Sequence, residues 1–241
     1  MSTSNVTSLI LNSANRENFE STNAGNCRLS FSNTLPAGRY AIVGGKFDNM
    51  VYTVTSSINT LIFIDSTTTT RTVTVPVGFY TGATIASALK TTMDTAASPQ
   101  TFTVTLDSST QKITITSAGN FSITYAGSSI APVIGLKANK STTTTATMDT
   151  TINLTYSFNS VFIEIAEVTE KGSDLKNNVT WCLFYPMSVG SGSLLVFGSE
   201  EVPQIISFSN QVATLTVRVL NQRGENVDMN SGEWQLLLKP L

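Results

Sequence analysis

The sequence predicts an all-β protein, a β-sandwich or barrel with a small α+β module inserted into it. Short runs of β-branched and aromatic residues recur along most of the chain, separated by turn formers such as Pro36, Gly38 and Gly44-Gly45. One segment in the middle differs, because its pattern is that of an amphipathic helix followed by a hairpin. Many short strands with turns between them are typical of sandwiches and barrels.

The predicted strands lie on both sides of that middle segment. In the longest of the late strands, alternation places Leu215, Val217 and Val219 on one face, which we expect to point into a core. The predicted strands are Leu29–Phe31, Tyr40–Val43, Val51–Val54, Leu61–Ile64, Ile152–Phe158, Val161–Ala166, Val179–Phe184, Leu194–Phe197, Ile205–Phe208, Ala213–Leu220 and Trp234–Leu238.

The middle segment is the part of the sequence that indicates a helix. Thr81 or Thr84 can cap a helix in which Ile85, Leu89 and Met93 recur at every fourth position. Pro99 ends the helical region. The flanking runs predict a strand before the helix and a hairpin after it; these runs are Val73–Tyr80, Phe102–Leu106 and Lys112–Thr116.

Two threonine-rich tracts, Ser66–Thr70 and Ser141–Thr145, border this segment, and such tracts usually form exposed connections. We therefore predict three regions: an N-terminal arm with the first strands of the sandwich in residues 1–65, an inserted βαββ module in residues 66–149, and the remaining strands in residues 150–241. The alternative, in which the middle strands continue one barrel, stays open. An insertion in a loop would keep the strand order of the barrel and add a new exposed surface.

The composition suits a protein whose faces contact other subunits. Hydrophobic residues make up 41% of the chain and charged residues only 12%, so its surface repels neighbours weakly. The net charge is −2 and no basic stretch is present, which argues against binding of nucleic acid.

The absence of histidine restricts the chemistry most strongly. Without it, Ser-His-Asp and Cys-His mechanisms and histidine-based zinc sites are excluded. The two cysteines, Cys27 and Cys182, are too few for a disulfide scaffold. We interpret them as two small buried hydrophobic residues, and a bridge between them remains the alternative.

No segment of the sequence predicts a leader or a membrane span. The polar stretch from Met1 to Thr7 lacks the features of a signal peptide, and no apolar run approaches transmembrane length. We therefore expect synthesis in a reducing cytosol.

The search for a site returns no catalytic, cofactor-binding or metal-binding residues. The acidic pairs Glu164 with Glu167 and Glu200 with Glu201 are more typical of a solvent-facing surface than of acid–base catalysis. Asp107–Thr110 predicts a turn, since it lacks the acidic spacing of a calcium loop. Gly190–Ser193 lacks the lysine of a phosphate-binding loop. The aromatic residues that could line a pocket are more typical of a core or an interface; they are Trp181, Phe184, Tyr185 and Trp234.

Three stretches, taken in order, resemble single jelly-roll capsid proteins of virophages, polinton-like viruses and large eukaryotic DNA viruses. The first resembles the opening of those proteins and runs from Leu11-Asn-Ser-Ala-Asn-Arg-Glu-Asn-Phe19 through Cys27-Arg-Leu-Ser-Phe31 to Leu35-Pro-Ala-Gly-Arg-Tyr-Ala-Ile-Val43. The second, Val75-Pro-Val-Gly-Phe-Tyr80 with the helix and hairpin after it, is similar to a module found in them. The third, Leu215–Leu238, is similar to the ending that closes their barrel.

The resemblance implies a single jelly roll and a structural role in a virion. It implies a penton protein that forms a homopentameric ring at the fivefold vertices of an icosahedral capsid, and we expect neighbouring major capsid protein as a partner. The arm Met1–Asn26 would reach adjacent capsid proteins, and the module would face outward, with a host receptor as a candidate partner. Alternative functions are a minor capsid, cement or tail-like virion protein, and a carbohydrate-binding or adhesin module. None of these functions is enzymatic.

Overall fold

The protein forms two compact units, here called unit 1 (Met1–Val51 with Phe158–Leu241) and unit 2 (Tyr52–Ser157). Each is described by itself. The structure is a computed structural model, and it describes residues 8–18, 23–170, 172–173, 180–181, 183–186, 193–198 and 204–241.

The elements of both units are numbered along the chain. The strands are β1 (Leu9–Asn12), β2 (Asn26–Leu35), β3 (Gly38–Asn49), β4 (Thr60–Ile64), β5 (Thr70–Thr74), β6 (Phe102–Leu106), β7 (Ile113–Thr124), β8 (Lys140–Thr147), β9 (Ser160–Ile165), β10 (Gly172–Ser173), β11 (Thr180–Trp181), β12 (Leu183–Pro186), β13 (Ser193–Gly198), β14 (Gln204–Phe208), β15 (Val212–Leu220) and β16 (Trp234–Pro240). The helices are α1 (Gly82–Ala97) and α2 (Ala131–Ile134), and a 3-10 turn covers Ser13–Asn15.

Unit 1 is a sandwich of two antiparallel sheets. Sheet A has the order β1-β16-β3-β13, with β14 pairing with the first part of β3, and sheet B has the order β12-β9-β15-β2. Strands at both ends of the chain alternate between the sheets: β1 and β3 lie in sheet A and β2 in sheet B, and β15 returns to sheet B before β16 closes sheet A. This is the strand order of a jelly roll, so the predicted fold class is confirmed.

The core of the sandwich is built from alternating side chains of both sheets. Leu215, Val217 and Val219 are fully buried, as their alternation predicted. Trp234, at the start of β16, is also fully buried, and its indole Nε1–H donates to the backbone oxygen of Ala24 over 2.7 Å. Trp234 is therefore a core residue and lines no ligand pocket.

The N-terminal segment belongs to the sandwich where the structure describes it. β1 pairs with β16 of the same chain, with Leu9 opposite Leu238 and Asn12 opposite Gln235. This corrects the expectation that the whole of Met1–Asn26 is an arm reaching away. The segment stabilises the sandwich of its own chain, because Leu11 is fully buried in the core.

Unit 2 is a sheet with a helix packed on it. The sheet has the order β5-β4-β7-β6, and β8 pairs with β7. Thr81 caps α1 in a capping box with Thr84, and Ile85, Leu89 and Met93 are fully buried. The predicted helix and the hairpin of β6 and β7 are thus confirmed.

One threonine-rich tract and one predicted strand have different roles from those expected, whereas Ser66–Thr70 is an exposed connection as predicted. Leu61–Ile64, assigned to the jelly roll, lies in β4 and pairs with β5 and β7 of unit 2. Ser141–Thr145 is not a connection, because it lies in β8. Ser66–Thr70 covers the turn between β4 and β5, where Asp65 accepts from the backbone N–H groups of Thr67 and Thr69. Sheet membership depends on distant partners, which local patterns do not specify.

Two predicted strands are irregular, and one helix has no counterpart in the prediction. Val51–Val54 makes only an isolated bridge at Val54, and Ile152–Phe158 forms no strand. The latter is apolar because Ile152, Leu154 and Tyr156 pack on the core of unit 2. The unpredicted helix is the single turn α2, which ends at Gly135 with a left-handed φ of 79°.

The compact unit 52–157 is wider than the predicted module 66–149. It includes β4 and the irregular segments at both ends. The prediction that the module folds on its own stays a prediction.

Candidate assembly surfaces

The acidic residues considered for catalysis have structural partners. Glu164, on β9, forms an ion pair with Arg218 of β15. Glu167 accepts the backbone N–H of Thr216 on both carboxylate oxygens, over 2.9 and 3.0 Å. The two carboxylates therefore stabilise sheet B and do not face one shared site. Glu200 and Glu201 lie outside the described residues.

Asp107 forms the turn that its sequence predicted. Its carboxylate accepts from the hydroxyl of Ser109 over 2.7 Å and from the backbone N–H groups of Ser109 and Thr110 over 2.9 and 2.7 Å. These hydrogen bonds, the Ser109 hydroxyl first, lower the pKa of Asp107 to about 2. The carboxylate is thus committed to the hairpin between β6 and β7.

Of the two cysteines, the structure describes only Cys27, and it is not reactive. Cys27 is a free thiol that is buried in sheet B, and burial raises its pKa to about 11. A thiol with so high a pKa is a poor nucleophile at neutral pH. Cys182 and Gly190–Gly192 lie outside the described residues. Trp181 lies in β11, and Phe184 and Tyr185 lie in β12 opposite Phe162 and Val161 of β9.

Among the residues that the structure describes, no group of three or more acidic or cysteine side chains is arranged to hold a metal ion. The prediction of no catalytic, cofactor or metal site stays a prediction. The outer faces of the two sheets are the candidate contact surfaces.

The outer face of sheet B is polar. Arg28 and Ser30 point outward from β2, and their neighbours Cys27 and Leu29 are buried. On β15 the outward positions are Thr214, Thr216 and Arg218. Ion pairs cover this face, between Arg218 and Glu164 and, over 3.8 Å, between Arg28 and Glu17.

The outer face of sheet A is apolar. Val196 and Leu194 of β13 are 66% and 52% exposed, while Leu195 between them is 3% exposed. Ile10 of β1 is 60% exposed, and its register partner Leu237 of β16 is half-buried. Ile205 of β14 is 41% exposed. We call these five outward side chains the apolar stripe: Ile10, Leu194, Val196, Ile205 and Leu237.

Three cations accompany the apolar stripe. Lys46 lies opposite both Val196 and Gln235, and Lys239 lies opposite Ala41, which also pairs with Ile205. Arg39 is exposed at the start of β3. None of the three forms an ion pair with a described residue. The carboxylate of Asp48, opposite Leu194, accepts the backbone N–H of Glu233 over 3.0 Å. The face therefore has cations between and beside its apolar side chains.

A groove of about 490 Å³ opens beside the turn between β2 and β3. Leu9, Phe31, Leu35 and Tyr40 contribute its apolar surface, and Arg39 lies on its border. The Tyr40 hydroxyl donates to the backbone oxygen of Pro36 over 3.0 Å, which holds this ring in place. The groove can accept apolar side chains of another protein.

Unit 2 has an exposed aromatic pair. Tyr52 and Phe79 meet edge to face, with ring centroids 4.9 Å apart, and Phe79 is 41% exposed. The loops that hold them are joined where Val54 and Gly78 exchange backbone hydrogen bonds of 3.1 and 3.0 Å.

Comparison with solved structures identifies the architecture. The crystal structure of the mavirus penton protein matches 97% of this chain and 99% of its own chain, with a TM-score of 0.54 and 11% sequence identity. The fold is that of a penton protein. A protein in the cryo-EM structure of the Sputnik virophage matches over 97% and 98% of the two chains, with a TM-score of 0.45 and 10% identity. No family model and no curated protein matches the sequence.

The match to the mavirus penton protein confirms the fold expected from the resemblance to single jelly-roll capsid proteins. No helix among the described residues is long and apolar enough to cross a membrane.

Sequence reasoning about this penton-like fold missed the apolar stripe, although a signal was present. Leu9–Leu11, Leu194–Phe197 and Leu236–Leu238 are apolar runs without alternation. A strand with such a run is apolar on both faces, which is typical of a sheet covered on both sides. The runs could therefore have indicated that the outer face of sheet A meets another surface.

Proposed function

We propose that this chain is a structural protein of a viral capsid, and more narrowly a penton protein that forms a homopentameric ring at fivefold vertices. The observation that carries the proposal is the shared fold with the mavirus penton protein over nearly the whole length of both chains. The proposal places the protein in the virion.

The sandwich is suited to this role on physical grounds. A ring closes when one patch of a subunit binds a different patch of the next and the rotation between them is a whole fraction of a turn. Unit 1 offers outer faces of opposite character, one apolar and one polar with ion pairs, so its sides are not equivalent. The groove beside the β2–β3 turn is a candidate contact for a neighbouring major capsid protein.

We propose no catalytic role. The carboxylates of Glu164, Glu167 and Asp107 all have structural hydrogen-bond or ion-pair partners, and the Cys27 thiol is buried. A measurable turnover that is lost on substitution of any of these residues would contradict this proposal.

A second candidate function, binding of a carbohydrate on a host receptor, is favoured by the exposed pair of Tyr52 and Phe79 in unit 2. Exposed aromatic rings in a loop cluster are typical of surfaces that bind a partner. A glycan array probed with the purified protein tests it. Binding of a defined glycan that Phe79→Ala abolishes would support the candidate, and no bound glycan would remove it.

The mass of the purified protein in solution, measured by light scattering on a sizing column, tests the leading proposal. Five copies of the 25.8 kDa chain give about 129 kDa, and that mass together with fivefold class averages in negative-stain electron microscopy is the expected result. A stable trimer would overturn the penton assignment and favour a minor capsid protein.

A further inference from the structure

The apolar stripe on sheet A indicates which face of the sandwich contacts a partner, and the fold alone does not indicate this. We infer that a second copy of this chain docks on the stripe. The inference rests on the proposed assembly into a homo-oligomer and names the face that makes the contact. Its starting point is exposure: Val196, Ile10, Leu194 and Ile205 are each at least 41% exposed on one face of one sheet. A group of large apolar side chains exposed on one face of a sheet is typical of an interaction site.

The size of the face suits the larger part of a subunit contact. The strands of sheet A have 12 residues in β3, 7 in β16, 6 in β13, 5 in β14 and 4 in β1. At about 3.3 Å per residue and about 4.8 Å between strands, they cover roughly 540 Å². This is about two thirds of the roughly 800 Å² that each partner of a stable complex buries.

The charges favour a copy of the same chain as the occupant. The face has three cations, Arg39, Lys46 and Lys239, and two carboxylates, Asp48 and Glu170. Glu170 accepts the hydroxyl of Ser207, which lies opposite Arg39. The whole chain has a net charge of −2, so the surface outside this face has an excess of carboxylates. A second copy that presents this remaining surface is complementary in sign to the cations of the face.

The register of the sheet gives the stripe a shape. Gly198 of β13 lies opposite Gly44 of β3, and Gly44 lies opposite Leu237 of β16. Two adjacent positions on this face therefore have no side chain, and Val196 and Leu237 stand beside them. A side chain of the docked copy can fill the shallow depression between them, which gives the contact shape complementarity.

Substitution of Val196 tests the inference. Val196→Asp places a carboxylate at the most exposed residue of the stripe, and Val196→Thr keeps the shape but removes apolar surface. Asn26→Asp is the matched control, because Asn26 is exposed on the outer face of sheet B and lies opposite Arg218. Mass is measured by light scattering over a dilution series, and far-UV circular dichroism during urea unfolding checks that each variant folds like the parent.

We expect Val196→Asp to raise the concentration of half-assembly by at least about 30-fold, the effect of losing one main contact residue. Val196→Thr should have a smaller effect in the same direction, and Asn26→Asp should leave assembly unchanged. If folded Val196→Asp assembles like the parent, or Asn26→Asp disrupts assembly equally, the inference is overturned.

The parent mass separates this inference from the pentamer proposal. A parent pentamer that persists in Val196→Asp leaves the proposed function standing and overturns the stripe. A parent dimer of about 52 kDa that Val196→Asp dissociates overturns both proposals, because a dimer of this kind pairs two identical patches, whereas the inference places the stripe against a different surface of the second copy. A parent that stays monomeric at every concentration overturns the stripe as a contact between copies.

Discussion

Unit 1 and unit 2 are stabilised by contacts of very different range along the chain. In unit 1, β1 pairs with β16, so residues near the two ends of the sequence are neighbours. In unit 2 the sheet and α1 are formed by one continuous segment, Tyr52–Ser157. The sandwich therefore forms only after distant segments meet, which makes its folding slow and dependent on both ends.

A polar cluster strengthens this difference. The buried Arg16 donates to Glu233 over 2.7 and 3.0 Å and to the backbone oxygen of Ser13 over 2.8 Å. The Ser13 hydroxyl donates to Glu233 and accepts the backbone N–H of Trp234. This cluster fixes the segment after β1 to the start of β16. In unit 2, hydrogen bonds within local turns and a helix cap stabilise the fold instead; they are made by Asp65, Thr81 and Asp107.

Deletion of unit 2 tests the comparison most strongly. The chain without residues 52–157, with a short glycine linker, should retain a folded sandwich. Its cut ends are near each other, because Phe47 stacks on Phe158 with ring centroids 5.9 Å apart. Deletion of residues 66–149 alone should aggregate, since it leaves β4 with Leu61 and Phe63 and without β5 or β7. Circular dichroism and sizing chromatography report the result. If the second deletion folds and the first does not, the predicted boundaries at 66 and 149 are the right ones.

Core truncations should affect one unit at a time. Trp234→Ala should lower the free energy of unfolding of unit 1 by about 4 kcal/mol, since it removes a fully buried indole. Leu89→Ala should lower that of unit 2 by about 3 kcal/mol and leave unit 1 unchanged. Hydrogen exchange followed by mass spectrometry resolves the two regions. Equal loss of protection in both units with either variant would show that they unfold together.

The polar cluster of unit 1 should contribute more than a surface ion pair. Arg16→Ala should lower the free energy of unfolding of unit 1 by about 3 kcal/mol, because it leaves the Glu233 carboxylate and the Ser13 carbonyl without this donor. Arg28→Ala is the control, since its ion pair with Glu17 is exposed and 3.8 Å long and should contribute about 0.5 kcal/mol. Urea unfolding of both variants measures the difference. Equal effects would mean that the cluster adds nothing beyond surface charge.

The turns of unit 2 should make its stability depend on acid. The folded pKa of Asp107 is lowered to about 2 from an ordinary value of 3.8 by hydrogen bonds from Ser109 and Thr110. A lowered folded pKa gives stability that is present above the ordinary value and is lost as the pH falls toward 2. Urea midpoints for unit 2 should therefore decline between about pH 4 and pH 2, and less steeply in Asp107→Asn. An identical decline in this variant would exclude Asp107 as a cause.

Patterns local to the chain were predictable. The helix of unit 2 followed from the spacing of Ile85, Leu89 and Met93 and from the threonine cap. The inward face of β15 followed from alternation, because a strand with one buried face repeats every two residues. The turn at Asp107 followed from its side-chain chemistry.

Long-range partners were not predictable from single segments. Nothing in Leu61–Ile64 specifies that it pairs with β5 and β7 and not with a strand of the sandwich. The ion pair of Arg16 with Glu233 joins residues more than two hundred positions apart. The apolar stripe combines residues from four strands, whose shared face exists only once their register is known.

The sequence by itself determined the all-β class, the inserted helix and hairpin, and the absence of histidine chemistry. These properties depend on composition and on spacing within one element. The tertiary structure decided which strands share a sheet, where each unit begins and ends, and which apolar side chains stay exposed. Such properties depend on pairing between distant segments, and the pairing energy comes from side chains that meet only after the chain has folded.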